Sequence, residues 1–304
     1  TRIVTGLQED GSIVLPMNSV DIARLFLLLT MSPQKTSSSG FYLRRWTSGW
    51  YEYDGRKWNA LSDEHLSARV RNWLNGCWQV KHDKKQDSNV LSRVTPSQTL
   101  VNEVMASLHI DTAVMAEDLP VWAPASFDDA GNPRWGTACV SPRERPALPP
   151  ARDIIAFRNG LLDAKAWTKG VIRFMSHTPT WFSTTVLPFD FPLEELGALD
   201  MNDEKGVADW MMSKAPSWFA FLNDVAADDE WVRCLQQYAG YLLVDTTIME
   251  KILMIVGPQR SGKGTIESTL SAMLGAENVT TTSFQQLCER FHMSTLMGKK
   301  LYVM

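Results

Sequence analysis

No apolar run in this 304-residue chain comes near the length of a membrane span. The longest, Leu25–Leu29 and Ile252–Val256, hold five residues each, whereas a helix needs roughly 20 to cross a bilayer. No secretory leader pattern opens the sequence, and a cytoplasmic location without membrane attachment is expected. Cysteine is scarce and scattered: Cys77, Cys139, Cys234 and Cys288 form no C-x-x-C pair, so reduced thiols are expected rather than a disulfide framework. The five histidines include no H-E-x-x-H pattern, which argues against a zinc site. Neither disorder nor a coiled coil fits a composition that is 44% apolar and 21% charged. What remains is an ordinary globular chain long enough for two or three domains. It begins with Thr1 rather than Met, and the expectation is a piece of something longer.

The net charge of −4 hides an asymmetry. Phe41 to Arg93 carries ten Lys/Arg against six Asp/Glu, a local +4, whereas Leu187 to Glu250 carries thirteen acids against three bases, a local −10. The basic module is either a nucleic-acid face or a solvated surface. Seven aromatics lie between Phe41 and Trp58, interleaved with Arg44, Arg45, Arg56 and Lys57. Such interleaving forms either a stacking platform for single-stranded nucleic acid or a hairpin core with its cations outside.

Ser19 is positioned to cap a buried helix over 20–30. Strands are expected at Phe41–Trp46, Trp50–Tyr53 and Arg56–Asn59, the last two joined by a two-residue Asp54-Gly55 turn. Ser62-Asp63-Glu64 opens an amphipathic helix with Leu66, Val70, Trp73 and Leu74 on one face. Thr95–Ile110 is another helix, with Pro96 in its first turn. Pro120–Pro150 holds seven of the fifteen prolines and is expected to be irregular. Ile154–Phe157 and Val171–Phe174 are expected as strands around an Asn159-Gly160 turn, and Trp181–Phe191 as extended. Ser217–Ala226 and Glu230–Leu243 are expected as helices.

Ile252–Val256 has the pattern of a strand buried on both faces. It leads directly into Gly257-Pro258-Gln259-Arg260-Ser261-Gly262-Lys263-Gly264-Thr265, after which Ile266, Leu270, Met273 and Leu274 repeat at helical spacing up to Gly275. Strand, glycine-rich loop with lysine, and helix together make the phosphate-binding P-loop unit. Gly257 and Gly262 let the backbone curl so that successive N–H groups point inward. The helix beginning near Lys263 adds its positive end, and Lys263 brings a full charge to the β- and γ-phosphates. ATP with Mg²⁺ is the expected ligand. The usual pattern puts Ser or Thr directly after the lysine to hold the metal, whereas here Gly264 stands there and Thr265 follows. Either Thr265 reaches the metal or phosphates from one step along, or the metal is held through water and a later acid. Asn278–Thr282 is expected as a strand, Phe284–Phe291 as a helix, and Leu301–Met304 as the start of another strand.

The blocks Trp50 to Trp58, Ala156 to Leu161, His177-Thr178-Pro179, Leu187 to Asp190, Leu235 to Tyr241 and Gly257 to Thr265 occur in an order that resembles the phage and plasmid primase-helicases. That family joins an N-terminal domain like that of the poxvirus helicase-primase to a superfamily 3 helicase domain of AAA+ type. The resemblance implies a replicative DNA helicase of a virus, prophage or plasmid that forms a ring, usually a hexamer. It would hydrolyse ATP to pull on one DNA strand, with a primase or polymerase domain upstream in many members. Many members have Asn-Gly-Lys-Ser-Thr where this chain has Ser261-Gly-Lys-Gly-Thr265. The implied fold is α/β. An α+β N-terminal region at 1–93 and a mixed collar at 94–245 would precede the beginning of a P-loop parallel-sheet domain at 246–304. The acid that activates water, the sensor and the arginine finger are expected beyond Met304, so residues 1–304 alone are expected to lack ATPase activity. Two other readings are a small-molecule kinase, because Gly-Lys-Gly-Thr also resembles adenylate kinases, and a non-catalytic DNA-binding or ring-forming module.

Overall fold

The computed structural model describes residues 5–32, 41–83, 87–123, 126–127, 133–134, 148–201, 203–226, 228–246, 248–287, 296 and 298–304. The fold is mixed α/β with small sheets. The first stretch runs β1 (Gly6–Leu7), β2 (Ile13–Val14), α1 (Ser19–Thr30), β3 (Leu43–Trp46), β4 (Gly49–Tyr53), β5 (Trp58–Leu61) and α2 (Asp63–Asn75). It continues through β6 (Trp78–Asp83), β7 (Ser88–Arg93), α3 (Gln98–Thr112), β8 (Val121–Trp122), β9 (Ser126–Phe127) and β10 (Pro133–Arg134). Next come β11 (Ile154–Phe157), β12 (Gly160–Asp163), α4 (Ala164–Trp167), β13 (Phe174–Met175), β14 (Trp181–Phe182), α5 (Leu193–Gly197), α6 (Glu204–Lys214) and α7 (Pro216–Val225). The remainder is α8 (Asp229–Tyr241), α9 (Lys263–Leu274), β15 (Val279–Thr281), α10 (Phe284–Leu287) and β16 (Leu301–Val303). No helix among the described residues is long and apolar enough to cross a membrane.

The chain divides into two compact units: Thr1–Asp118 with Trp122–Ala147 and Pro179–Phe182, and Leu119–Val121 with Leu148–Thr178 and Ser183–Met304. In the first unit, β3, β4 and β5 form an antiparallel meander. Alternation along its strands turns Leu43 and Trp50 to one face, where they join a core with Phe26 and Leu27 of α1, Leu66, Val70 and Leu74 of α2, and Val101, Val104 and Leu108 of α3. Trp46, Tyr51 and Trp58 line the opposite face, and their rings pack around Phe182 at centroid distances of 6.3, 5.5 and 5.1 Å. Both faces of this small sheet are therefore covered. A second sheet runs β1-β2-β6-β7, with β6 and β7 antiparallel from Trp78↔Arg93 to Asp83↔Ser88.

Several local expectations are corrected here. The cap of α1 is Asn18, whose side chain accepts from the Asp21 N–H, and Ser19 is the first helical residue. Val20 is exposed, so this helix buries one side rather than all of it. The β4–β5 loop spans four residues, because Tyr53 pairs with Trp58. The Asp54 carboxylate closes it by accepting from the Arg56 and Lys57 N–H groups. Ser97 caps α3, which places Pro96 before the helix rather than in its first turn.

In the second unit, β11, β12 and β13 form an antiparallel sheet. The β11–β12 turn is Arg158-Asn159, one residue earlier than expected, and Gly160 already pairs with Phe157. Helices α5 to α8 follow, with α7 and α8 close to their expected ranges. Their core holds Leu196, Leu222, Leu235 and Leu242 together with Ile266, Leu270 and Leu274 of α9. β15 and β16 pair in parallel, Val279 opposite Leu301.

Ile252–Val256 departs from its expected form. It belongs to no strand of the described residues, and it is not buried on both faces. Leu253 and Ile255 pack against the core, whereas Ile252, Met254 and Val256 are 80–85% exposed. The backbone is extended enough to send alternate side chains opposite ways, and a packed layer covers only one side.

Candidate functional site

The glycine loop is built on a helix anchored from behind. Ile266, Leu270 and Leu274 fix the inner face of α9, and Gly275, at φ +90°, ends it. Asn278, 1% exposed, holds that end: its Nδ2 donates to Leu274 O at 2.7 Å and Val186 O at 2.9 Å. At the other end Gly262 is the N-cap, in the left-handed region with φ +84°. Arg260 also has positive φ, +60°, and Ser261 between them does not. Alternation of backbone handedness turns successive N–H groups toward one point, the geometry of an anion-binding nest.

Two observations fit an anion there. Among the described residues, no group accepts a hydrogen bond from the backbone N–H groups of Gly262 to Thr265, and the first N–H groups of a helix have no partner within it. The Lys263 ammonium also folds over the loop, donating to Gly257 O at 2.8 Å, Pro258 O at 2.6 Å and Ser261 Oγ at 3.3 Å. A Cβ at Gly257 would lie 2.7 Å from Ser261 Oγ, so a side chain there would turn that hydroxyl away from the Lys263 ammonium. The structure thus brings Gly257, Pro258, Ser261, Gly262 and Lys263 into one turn, with Arg260 exposed on its rim. Gln259 is exposed beside it.

The metal expectation meets a mixed fit. Gly264 and Thr265 are both exposed in the first turn of α9. The Cβ position of Gly264 is open, so space does not explain the missing hydroxyl. Thr265 is the one hydroxyl residue in that turn and is the residue that would face a metal. No cluster of three or more His, Cys, Asp or Glu side chains suited to a metal ion occurs among the described residues.

The four basic candidates in the first unit do not form one face. Arg44 is 1% exposed, on the sheet face covered by the aromatic cluster, with its guanidinium carbon 5.8 Å from the Trp58 ring centre. Burial lowers its pKa to about 10. It was expected either as a solvent-facing cation or as a nucleic-acid contact, and the second covered face of the sheet rules out the exposure both need. Arg45, on the opposite face, lies 4.9 Å over Trp50 and pairs with Asp63 at 3.2 Å. Arg56 is exposed and Lys57 half-buried, both in the β4–β5 loop.

Sequence reasoning missed two tertiary contacts of the second unit. Lys300 is nearly buried and donates to Asp245 Oδ1 at 2.7 Å and Leu243 O at 3.0 Å, tying the start of β16 to the segment after α8. Phe221 of α7 lies directly behind Gly262. No motif marks either residue, and only tertiary packing reveals them.

A search of curated proteins finds no match to this chain. A family model described as D5 N terminal like matches residues 41–227, a span that ends at α7 and stops short of the glycine loop. Domains of this family occur in primase-helicase proteins. The match spans more than half of the sequence, and this chain belongs to the D5 N terminal like family.

Proposed function

We propose that the chain is part of a replicative DNA helicase of a phage, prophage or plasmid, and that Gly257–Thr265 is its ATP phosphate site. The observation that carries this reading is the nest at Arg260-Ser261-Gly262, with acceptor-free amides from Gly262 to Thr265 and a lysine folded over it, about thirty residues after the end of a D5 N terminal like match. The parallel pairing of β15 and β16 beside α9 supports a P-loop parallel-sheet domain of AAA+ type. In this reading the amides from Gln259 to Thr265 hold phosphate oxygens. Lys263 exchanges its carbonyl acceptors for the phosphates, since an ammonium binds an anionic oxygen more strongly than a neutral carbonyl. Mg²⁺ would neutralise charge on the phosphates as the terminal group transfers, with Thr265 the chain's own hydroxyl for it. DNA and further copies of the chain, as a ring, are the partners of this reading.

The test is ATP turnover by the full-length protein with and without single-stranded DNA. Stimulation by DNA supports the helicase. Turnover that instead requires a small phosphoryl acceptor would make the protein a kinase. Absence of both nucleotide binding and turnover would leave a non-catalytic module.

A further inference from the structure

Gly262 is enclosed on the side where any other residue would carry its side chain. A Cβ built there would lie 2.9 Å from Phe221 Cζ, 3.0 Å from Phe221 Cε2 and 3.1 Å from Val225 Cγ1. Both residues belong to α7, whose Leu222 is 1% exposed and fixed in the core. Trp218, one turn earlier, stacks on Phe221 with ring centres 5.5 Å apart at 28°. The wall behind the loop is therefore a braced aromatic edge on a packed helix.

This matters because glycine has no conformational preference of its own to hold the left-handed geometry. Gly262 at φ +84° separates a loop whose amides converge from one whose amides scatter. Its carbonyl accepts from the Ile266 N–H at 3.0 Å, and among the described residues no backbone acceptor holds its own N–H or that of Lys263. On the side where a Cβ would stand, it is confined by the Phe221 edge with Val225 beside it.

We propose that Phe221, supported by Trp218 and Val225, is a positioning residue that sets the anion-binding shape of the glycine loop. The last helix of the family-matched region would then be the back wall of the phosphate site. This rests on the reading of Gly257–Thr265 as a phosphate site and adds to it the residue that shapes the site from outside the motif. Phe221 touches no phosphate in this account. It acts through Gly262 on every group that binds by its phosphates alone, whatever base they carry.

The experiment is calorimetric titration of the full-length protein with Mg-ATP and, separately, with inorganic triphosphate, which can engage only the loop. Phe221→Ala is expected to weaken both ligands by about tenfold, equivalent to removing roughly one charge-assisted hydrogen bond. Phe221→Leu, which refills part of the wall, should recover about half of that loss in free energy and leave both ligands about threefold weaker. A folded Phe221→Ala protein, checked by circular dichroism, that binds both probes as the wild type does would overturn the proposal. So would a weakening confined to ATP, which would place Phe221 at the base instead. If Phe221→Ala does not fold, Phe221→Leu decides: affinity about threefold weaker for both probes supports the wall, and unchanged affinity removes it. Failure of the wild-type protein to bind either probe would sink the phosphate-site reading itself, and with it this one.

Discussion

Arg44 and Arg56 carry the same charge in opposite environments, and substitutions at them should separate fold from binding. Glutamate at Arg44 would bury an unpaired anion among Trp46, Tyr51 and Trp58, and a broken buried charge costs about 3–5 kcal/mol. We therefore expect Arg44→Glu to lower the melting temperature sharply or prevent folding. The Arg56→Glu, Lys57→Glu pair should leave it within a few degrees. If the β4–β5 loop binds single-stranded DNA, the same pair should also flatten the log–log salt dependence of binding, by about one unit for each phosphate that the two side chains no longer neutralise. An unchanged slope would make these two cations a solvated surface. Cys77 gives a second prediction. It is buried, and burial raises its thiol pKa from 9.0 to about 11. The unfolded chain then loses this proton first, so its contribution to stability is intact below pH 9 and is lost as the pH rises toward 11. Thiol labelling followed by peptide mass analysis at neutral pH should modify exposed Cys234 and reach Cys77 only after denaturation. The sequence conveyed the composition of the Phe41–Trp58 stretch but not which cations were outside. Arg44 is buried because Phe182, far along the chain, covers its side of the sheet, and no local pattern encodes that packing.

At the scale of elements, Gly160 and Asn278 each make one junction in the second unit. A Cβ at Gly160 would meet Met175 O at 2.6 Å and the Phe174 ring at 2.7 Å. Gly160→Ala should therefore push β12 and β13 apart, costing about 1–3 kcal/mol in denaturant unfolding. Asn278→Ala should cost about 1–3 kcal/mol, because it leaves the carbonyls of Val186 and Leu274 without their side-chain donor. Values near zero at both positions would mean these junctions yield freely. Helices with an apolar stripe were legible in the sequence: α2, α3, α7, α8 and α9 all lie within a few residues of expectation. Elements held mainly by their neighbours were not. The β6–β7 hairpin alternates too weakly to announce itself, with exposed Val90 and Leu91 on β7, and the turn signal at Asn159-Gly160 hides β12, whose place as the second strand was expected at Val171–Phe174. Ile252–Val256 failed for the complementary reason: continuous apolar sequence predicts two covered faces, and burial requires a second layer that the residues themselves do not supply. The glycine loop and the helix after it were expected from the sequence, and α9 begins at Lys263 as expected. The loop's back wall on α7 was not expected, since Phe221 and Gly262 meet only in space, about forty residues apart along the chain.

For the whole molecule, family membership and the glycine loop rest on separate residues. The family match ends at residue 227, and the loop begins at Gly257. A D5 N terminal like domain followed by a working phosphate site would make a DNA-stimulated, ring-forming ATPase. The same domain followed by an inert loop would be a binding or assembly module. The decisive measurement is equilibrium titration of Mg-ATP into the full-length protein and into its Lys263→Ala variant, with circular dichroism to confirm that both are folded. We expect the wild type to bind and the variant to bind at least about a hundredfold more weakly. Lys263 holds a full charge over the loop, and hydrogen bonds to charged groups contribute about 1.5–3 kcal/mol each. Equal affinity for ATP in two folded proteins would contradict the account, because the loop from Gly257 to Thr265 would then not be where the nucleotide phosphates bind.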